Sequence, residues 1–208
     1  MATSNLLIVG DSFVAEGEEQ EWTWWNKLAK DLNAKSLNLG IIGASNFNIW
    51  HQLKEGLKIK PDYVLISLTA PNRIESVEDD FQDVDYYAFL RGQIRSWSAH
   101  DRLAQKEISV DYVNKFCDYN IAVSKDAIIV DSMLQMLKGK KSVILTNLFT
   151  EYKSNSSKVS YSVIPRNYCD VESGVLDEPE AGHIYKSWHD KLYTNHKEEL
   201  LGYMNANF

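Results

Sequence analysis

The stretch LLIVGDSFVAEG, residues 6–17, is apolar up to Gly10 and then breaks at Asp11-Ser12. A serine hydroxyl is a weak nucleophile at neutral pH and attacks a carbonyl carbon only beside a general base, usually an imidazole oriented by a carboxylate. Of the five histidines, His183 is the one closely preceded by acids, in LDEPEAGHIYKSWHDKLY, with Glu180 three residues upstream and Asp177 six. A Glu-x-x-His turn lets the carboxylate fold back on Nδ1 and hold the tautomer whose Nε2 accepts a proton. Ser12, His183 and Glu180 are therefore candidates for nucleophilic acyl transfer, and Asp177 is the alternative acid. Plainer roles stay open: Ser12 as a helix N-cap after a strand, Glu180 and His183 as exposed residues near a helix start.

Groups this far apart in the chain meet only if the fold carries them to one place. Five apolar, β-rich runs alternate with helical patterns: LLIVG from residue 6, KSLNLGI at 35–41, YVLISL at 63–68, SVILTNL at 142–148 and KVSYSVI at 158–164. Such alternation predicts right-handed crossovers and an α/β fold, a three-layer α/β/α sandwich around a mostly parallel five-stranded sheet of flavodoxin-like type. In an open parallel sheet the ligand site lies beyond the carboxyl ends of the strands. The residues expected there are Gly10-Asp11-Ser12 after the first run, Gly40 and Gly43 of NLGIIGASN after the second, and Asn72 and Arg73 of TAPNR after the third.

The covering helices are also visible. EWTWWNKLAKDL puts Trp22, Trp25, Leu28 and Leu32 at helical spacing, and SNFNIWHQLKEGLK opens with Ser45 or Asn46 as N-cap and carries Ile49, Leu53 and Leu57 on one side. One long helical pattern runs from about Val110 to Leu137, and another closes the chain with Ile184, Trp188, Leu192 and Tyr193. Residues 74–110 form an insertion in the connection between the third and fourth runs, beginning with the acidic ESVEDDFQDVD. It reads either as a solvated loop leading into a helix or as a lid, with Tyr86, Tyr87, Phe89 and Trp97 as walls for a substrate. Arg73 either pairs with Glu75 or binds an anionic group of a substrate.

The chain of 208 residues is long enough for one sizeable core, and no Pro/Gly linker or repeat divides it, so residues 1–208 read as a single domain. A net charge of -7 and a hydrophobic fraction of 44% describe a soluble, mildly acidic protein and argue against nucleic acid as a partner. The start MATSNLLIVGDS has no basic leader and too short an apolar run for a signal peptide or a membrane span, so a cytoplasmic location is expected. Cys117 and Cys169 stand apart without a CxxC or His-rich context and suggest neither a disulfide framework nor a zinc site. The Gly-rich turns lack the Lys-Ser/Thr of a Walker motif and the GxGxxG of a dinucleotide site, which argues against a phosphate cradle.

Taken in order, these blocks resemble the SGNH hydrolases, the GDSL-type lipase and esterase superfamily, and include features of phage-encoded members. IVGDSF matches the first block and makes Ser12 the nucleophile; NLGIIGAS matches the second, with Gly43 offering its N–H to the oxyanion. TAPNRIE stands where the family has Gly-x-Asn-Asp, so Asn72 is the side-chain oxyanion donor, and Glu180-Ala181-Gly182-His183 stands for Asp-x-x-His. His189 matches the second histidine that often follows and is expected to be structural. The sequence departs from the family at Phe13, at the third block and in the glutamate that replaces the aspartate. The resemblance implies an esterase acting through a Ser-His-acid triad and an acyl-enzyme, with no metal or organic cofactor. Short-chain esters, acetylated sugars, lysophospholipids and thioesters fall within its range, and the mixed acids and aromatics of the insertion lean toward a carbohydrate O-acetyl ester. The competing expectation is a binding or structural module that keeps the fold without turnover, such as a phage component carried in a virion.

Overall fold

The computed structural model describes residues 4–15, 21–71, 73–77, 94–98, 109–146, 162–165 and 186–205. Strand β1 (Ser4–Gly10) lies inside a parallel sheet, paired on one side with β2 (Ala34–Asn38) and on the other with β3 (Tyr63–Ser67). Beyond β3 come β6 (Lys141–Thr146) and β7 (Ser162–Pro165), giving the order β2-β1-β3-β6-β7 with every pair parallel. The strand that ends at the Gly-Asp-Ser turn is thus held by a neighbour on each side.

Leu6, Leu7, Ile8 and Val9 are all fully buried, as a parallel strand covered on both faces requires. Their side chains alternate between two cores. Leu6 and Ile8 pack with Trp24, Trp25 and Leu28 of helix α2 (Trp24–Asp31) and with Leu200 and Met204 of the terminal helix α6 (Lys186–Asn205). Leu7 and Val9 pack with Ile49 and Leu53 of α3 (Asn46–Gly56) and with Met133 and Leu134 of α5 (Tyr119–Met136). The α/β/α layering expected from the sequence is the observed one.

The α2–α6 layer is joined by polar contacts at both ends. Thr23 precedes α2 without capping it through its side chain. Instead the Trp24 N–H donates to His189 Nδ1 at 3.2 Å, so an imidazole on a distant helix satisfies one of the orphan donors of α2. The His189 ring is buried edge-on against Trp22 and Trp25, with centroids 4.9 and 5.1 Å apart. At the other end the Tyr193 hydroxyl and the Lys197 ammonium both reach the Asp31 carboxylate. This is a structural role for His189, in line with expectation.

Two segments differ from the sequence reading. The helical pattern from Val110 to Leu137 is two helices, α4 (Val110–Phe116) and α5. They break where Asp118 adopts an extended conformation and accepts a hydrogen bond from the Ile121 N–H at 3.0 Å. An aspartate favours this capping geometry over a helix interior because its carboxylate competes for the backbone N–H groups. Within 74–110, part of the segment read as loop and helix is an antiparallel pair, β4 (Arg73–Val77) with β5 (Ile94–Ser98). Tyr86, Tyr87 and Phe89 lie outside the described residues. No helix among the described residues is long and apolar enough to cross a membrane.

Candidate active site

Helix α1 (Ser12–Ala15) begins two residues after β1 ends its pairing with β3 at Gly10 and Ser67. Asp11, fully buried, caps it: the carboxylate Oδ1 accepts from the Phe13 N–H at 3.2 Å, and the Asp11 carbonyl accepts from the Val14 and Ala15 N–H groups, each at 3.0 Å. The cap is therefore Asp11, which leaves the hydroxyl of half-buried Ser12 free of that duty. Among the described residues the Ser12 N–H donates to no backbone acceptor, as expected of the first N–H groups of a helix.

Gly10 is held from three sides. Its N–H donates to Gln52 Oε1 at 2.8 Å, while its carbonyl accepts from Gln52 Nε2 at 3.1 Å and from the Ile41 N–H at 3.0 Å. A methyl group here would lie 2.5 Å from Val14 Cγ2, 2.6 Å from Ser67 Cβ and 2.9 Å from the Ser67 carbonyl oxygen. The glycine is thus required by close approach, and its neighbours include backbone that cannot step aside alone. Gly10→Ala is expected to lower stability by about 1–3 kcal/mol, read as a lower denaturant midpoint at unchanged m.

The second loop is tied to the first by Asn38. Its Nδ2 donates to the Val14 carbonyl at 2.6 Å, and its Oδ1 accepts from the Gly40 N–H at 2.9 Å. Gly43 has φ +74, a left-handed conformation that glycine adopts without strain. The Gly43 carbonyl accepts both the N–H (2.6 Å) and the hydroxyl (2.7 Å) of Ser96, a buried residue of β5. The β4–β5 ribbon is thereby docked on the turn that carries Gly43. Ser45 is the N-cap of α3, accepting from the Asn48 N–H at 3.2 Å.

Arg73 stands half-buried at the start of β4 and donates from Nη1 to the Ser96 carbonyl at 3.2 Å. Among the described residues it makes no ion pair with Glu75. Trp97 pairs with Ile74 across the ribbon. Asn72, Tyr86, Tyr87, Asp177, Glu180 and His183 lie outside the described residues. A cleft of about 320 Å³ opens beside Arg73, between the first turn of α3 and the N-terminal half of α5, and Phe47, Glu75, Tyr112, Lys125 and Asp126 are among the residues that line it. Burial, with Glu75 adding to it, pushes the Asp126 carboxyl up to about 6, against a hydrogen bond from Asn46 that acts the other way. His51, buried on α3 with its ring edge-on to Phe47 and Trp50, has its pKa lowered by burial and then by Lys54.

Sequence reasoning missed Gln52, Asn46, Thr69, Ser96 and Asp126. Asn46 was legible only as a potential cap, and the others carried no signal, because the Asn46–Thr69, Gln52–Gly10 and Ser96–Gly43 bonds join a side chain to backbone 23 to 53 residues away, and Asp126 meets the Asn46 side chain 80 residues away.

No protein-family model matches the chain, and no curated protein sequence matches it. Solved structures do resemble it. A protein assigned to the lipolytic G-D-S-L family, from Desulfitobacterium hafniense DCB-2, superposes with a TM-score of 0.54 at 13% identity, covering 95% of this chain and 99% of that chain. TesA gives a TM-score of 0.49 at 18% identity, with 96% and 99% covered. A carbohydrate esterase whose active site displays divergent catalytic and non-catalytic binding functions gives 0.46 at 11% identity, with 97% and 69% covered. At such identity the likeness is one of fold, and the fold of this chain is that of the SGNH hydrolases, the GDSL-type lipases and esterases.

Proposed function

We propose that the protein is a serine esterase acting by acyl transfer. Ser12 Oγ attacks the ester carbonyl while His183 takes its proton, and Glu180, with Asp177 as the alternative, orients the imidazole. The backbone N–H groups of Ser12 and Gly43 and the side chain of Asn72 receive the oxyanion, where one donor is worth about 2.7–4 kcal/mol. Water then hydrolyses the acyl-enzyme, with His183 as general base. The observation that carries this reading is the placement of Ser12. Its hydroxyl is relieved of capping by Asp11 and follows a strand buried on both faces, at the sheet edge where Gly43 also turns.

The cleft beside Arg73, whose described lining includes neither Ser12 nor Gly43, favours a polar substrate reaching beyond the scissile ester. It mixes the charged groups of Arg73, Glu75, Lys125 and Asp126 with the rings of Phe47 and Tyr112, a surface suited to hydroxyl groups and sugar faces rather than to a long acyl chain. An O-acetyl ester of a carbohydrate fits that character. The test is covalent: a fluorophosphonate probe should add its phosphonyl mass to the intact protein, on the peptide containing Ser12. The protein should also hydrolyse an activated acetyl ester faster than a long-chain one. No adduct and no turnover of either ester would move the assignment to a non-catalytic module on the same fold.

A further inference from the structure

We infer that Asn46 is a positioning residue for the oxyanion hole, its single side-chain amide fixing the loop of Gly43 against the loop that leads to Asn72. The inference rests on the esterase reading above, in which those two residues are oxyanion donors. Asn46 is the first residue of α3, three positions after Gly43, and is only 2% exposed. Its Oδ1 accepts from the Thr69 N–H at 2.9 Å, and its Nδ2 donates to the Thr69 carbonyl at 2.9 Å. Thr69, also buried, lies two residues beyond the end of β3 and three before Asn72.

The two bonds close a ring between one amide and one backbone residue, so they fix orientation as well as distance. The second Nδ2 hydrogen goes to the Asp126 carboxylate on α5, which uses the remaining donor and fastens the amide to the opposite wall. Around Asp126 stand Glu75 and Arg73 from β4, and Asp118 and Lys125 from its own helix and cap. Ser96 holds the Gly43 carbonyl from the side of the ribbon, so the Gly43 loop is braced at both ends. An oxyanion hole works only if its donors are placed before charge develops, and displacement of about 1 Å can cost on the order of 100-fold in rate.

The experiment uses the full chain and three variants, with activated acetyl ester hydrolysis and hydrogen–deuterium exchange as parallel readouts. Asn46→Ala should lower kcat by about 10- to 100-fold and leave KM within about threefold, because the ester still binds while its oxyanion is poorly met. Amides of residues 40–45 and 68–71 should exchange faster, while those of α2 and α6, across the sheet, should not change. Asn46→Asp sets two carboxylates in contact and should be worse. Adding Asp126→Asn to it restores one hydrogen bond with reversed polarity, and kcat should rise above that of Asn46→Asp alone, a recovery that general loss of folding would not produce. Unchanged exchange in both loops, or loosened loops with unchanged kcat, overturns the inference. A wild type without Ser12-dependent turnover overturns the esterase reading and the catalytic role of Asn46 with it, and the exchange pattern then decides separately whether the loops are joined.

Discussion

Replacing Ser12 with alanine removes ester hydrolysis, lowering kcat/KM by roughly a thousandfold or more, and leaves the unfolding midpoint nearly where it was. The two halves of this expectation have separate physical grounds. Without Oγ no acyl-enzyme forms, and the remaining oxyanion donors stabilise only direct attack by water. The fold is indifferent because Asp11, not Ser12, supplies the cap of α1, and alanine is a better helix former than serine at that position. Had Ser12 been the cap, its loss would cost about 1 kcal/mol with no activity at stake. Paired measurements of turnover and denaturant midpoint on the variant therefore distinguish a nucleophile from a capping residue. A variant that keeps its turnover rules out Ser12 as the nucleophile.

The contrast with Gly10 and Asn46 shows how much of this site could be read from the chain. Strands β1, β3 and β6 were legible because burial on both faces demands unbroken apolar runs, and VLIS or VILT admits few other readings. Helix α2 was legible through its tryptophans and Leu28. The placement of Ser12 after β1 and of Gly43 in the loop after β2 was legible because residues that follow strands in such a fold share an edge. The clamps were not. Asn46 and Gln52 are buried on α3 without an apolar side chain to announce it, because what they bond is backbone of the loop after β3 and of β1. The β4–β5 ribbon was illegible for a related reason: its short strands carry Arg73, Glu75 and Ser96, and it is anchored by a contact with Gly43, 53 residues away. Local pattern shows where apolar surface goes, and long-range polar bonds leave no period in the sequence.

Asp126→Asn is expected to stabilise the protein at pH 8 by about 2–3 kcal/mol, raising Tm by several degrees, and to have no such effect at pH 4. The Asp126 carboxyl is raised from 3.8 to about 6, first by burial and then by Glu75. The folded protein therefore binds this proton more tightly than the unfolded chain does. Its contribution to stability is complete below about pH 4 and is lost as pH rises through about 6; above that, the ionised carboxylate is a burden carried by the native state alone. Asparagine keeps a carbonyl oxygen to accept from Asn46 Nδ2 and has no charge to bury. Denaturant midpoints of both proteins at pH 4, 6 and 8 should converge at the acid end and separate across the interval. An equal gain at every pH would mean that charge is not the cause, and a loss at pH 8 would mean that the carboxylate is net favourable where it stands. Asp126 lines the cleft with Arg73 and Lys125 and also holds the amide that joins the two loops.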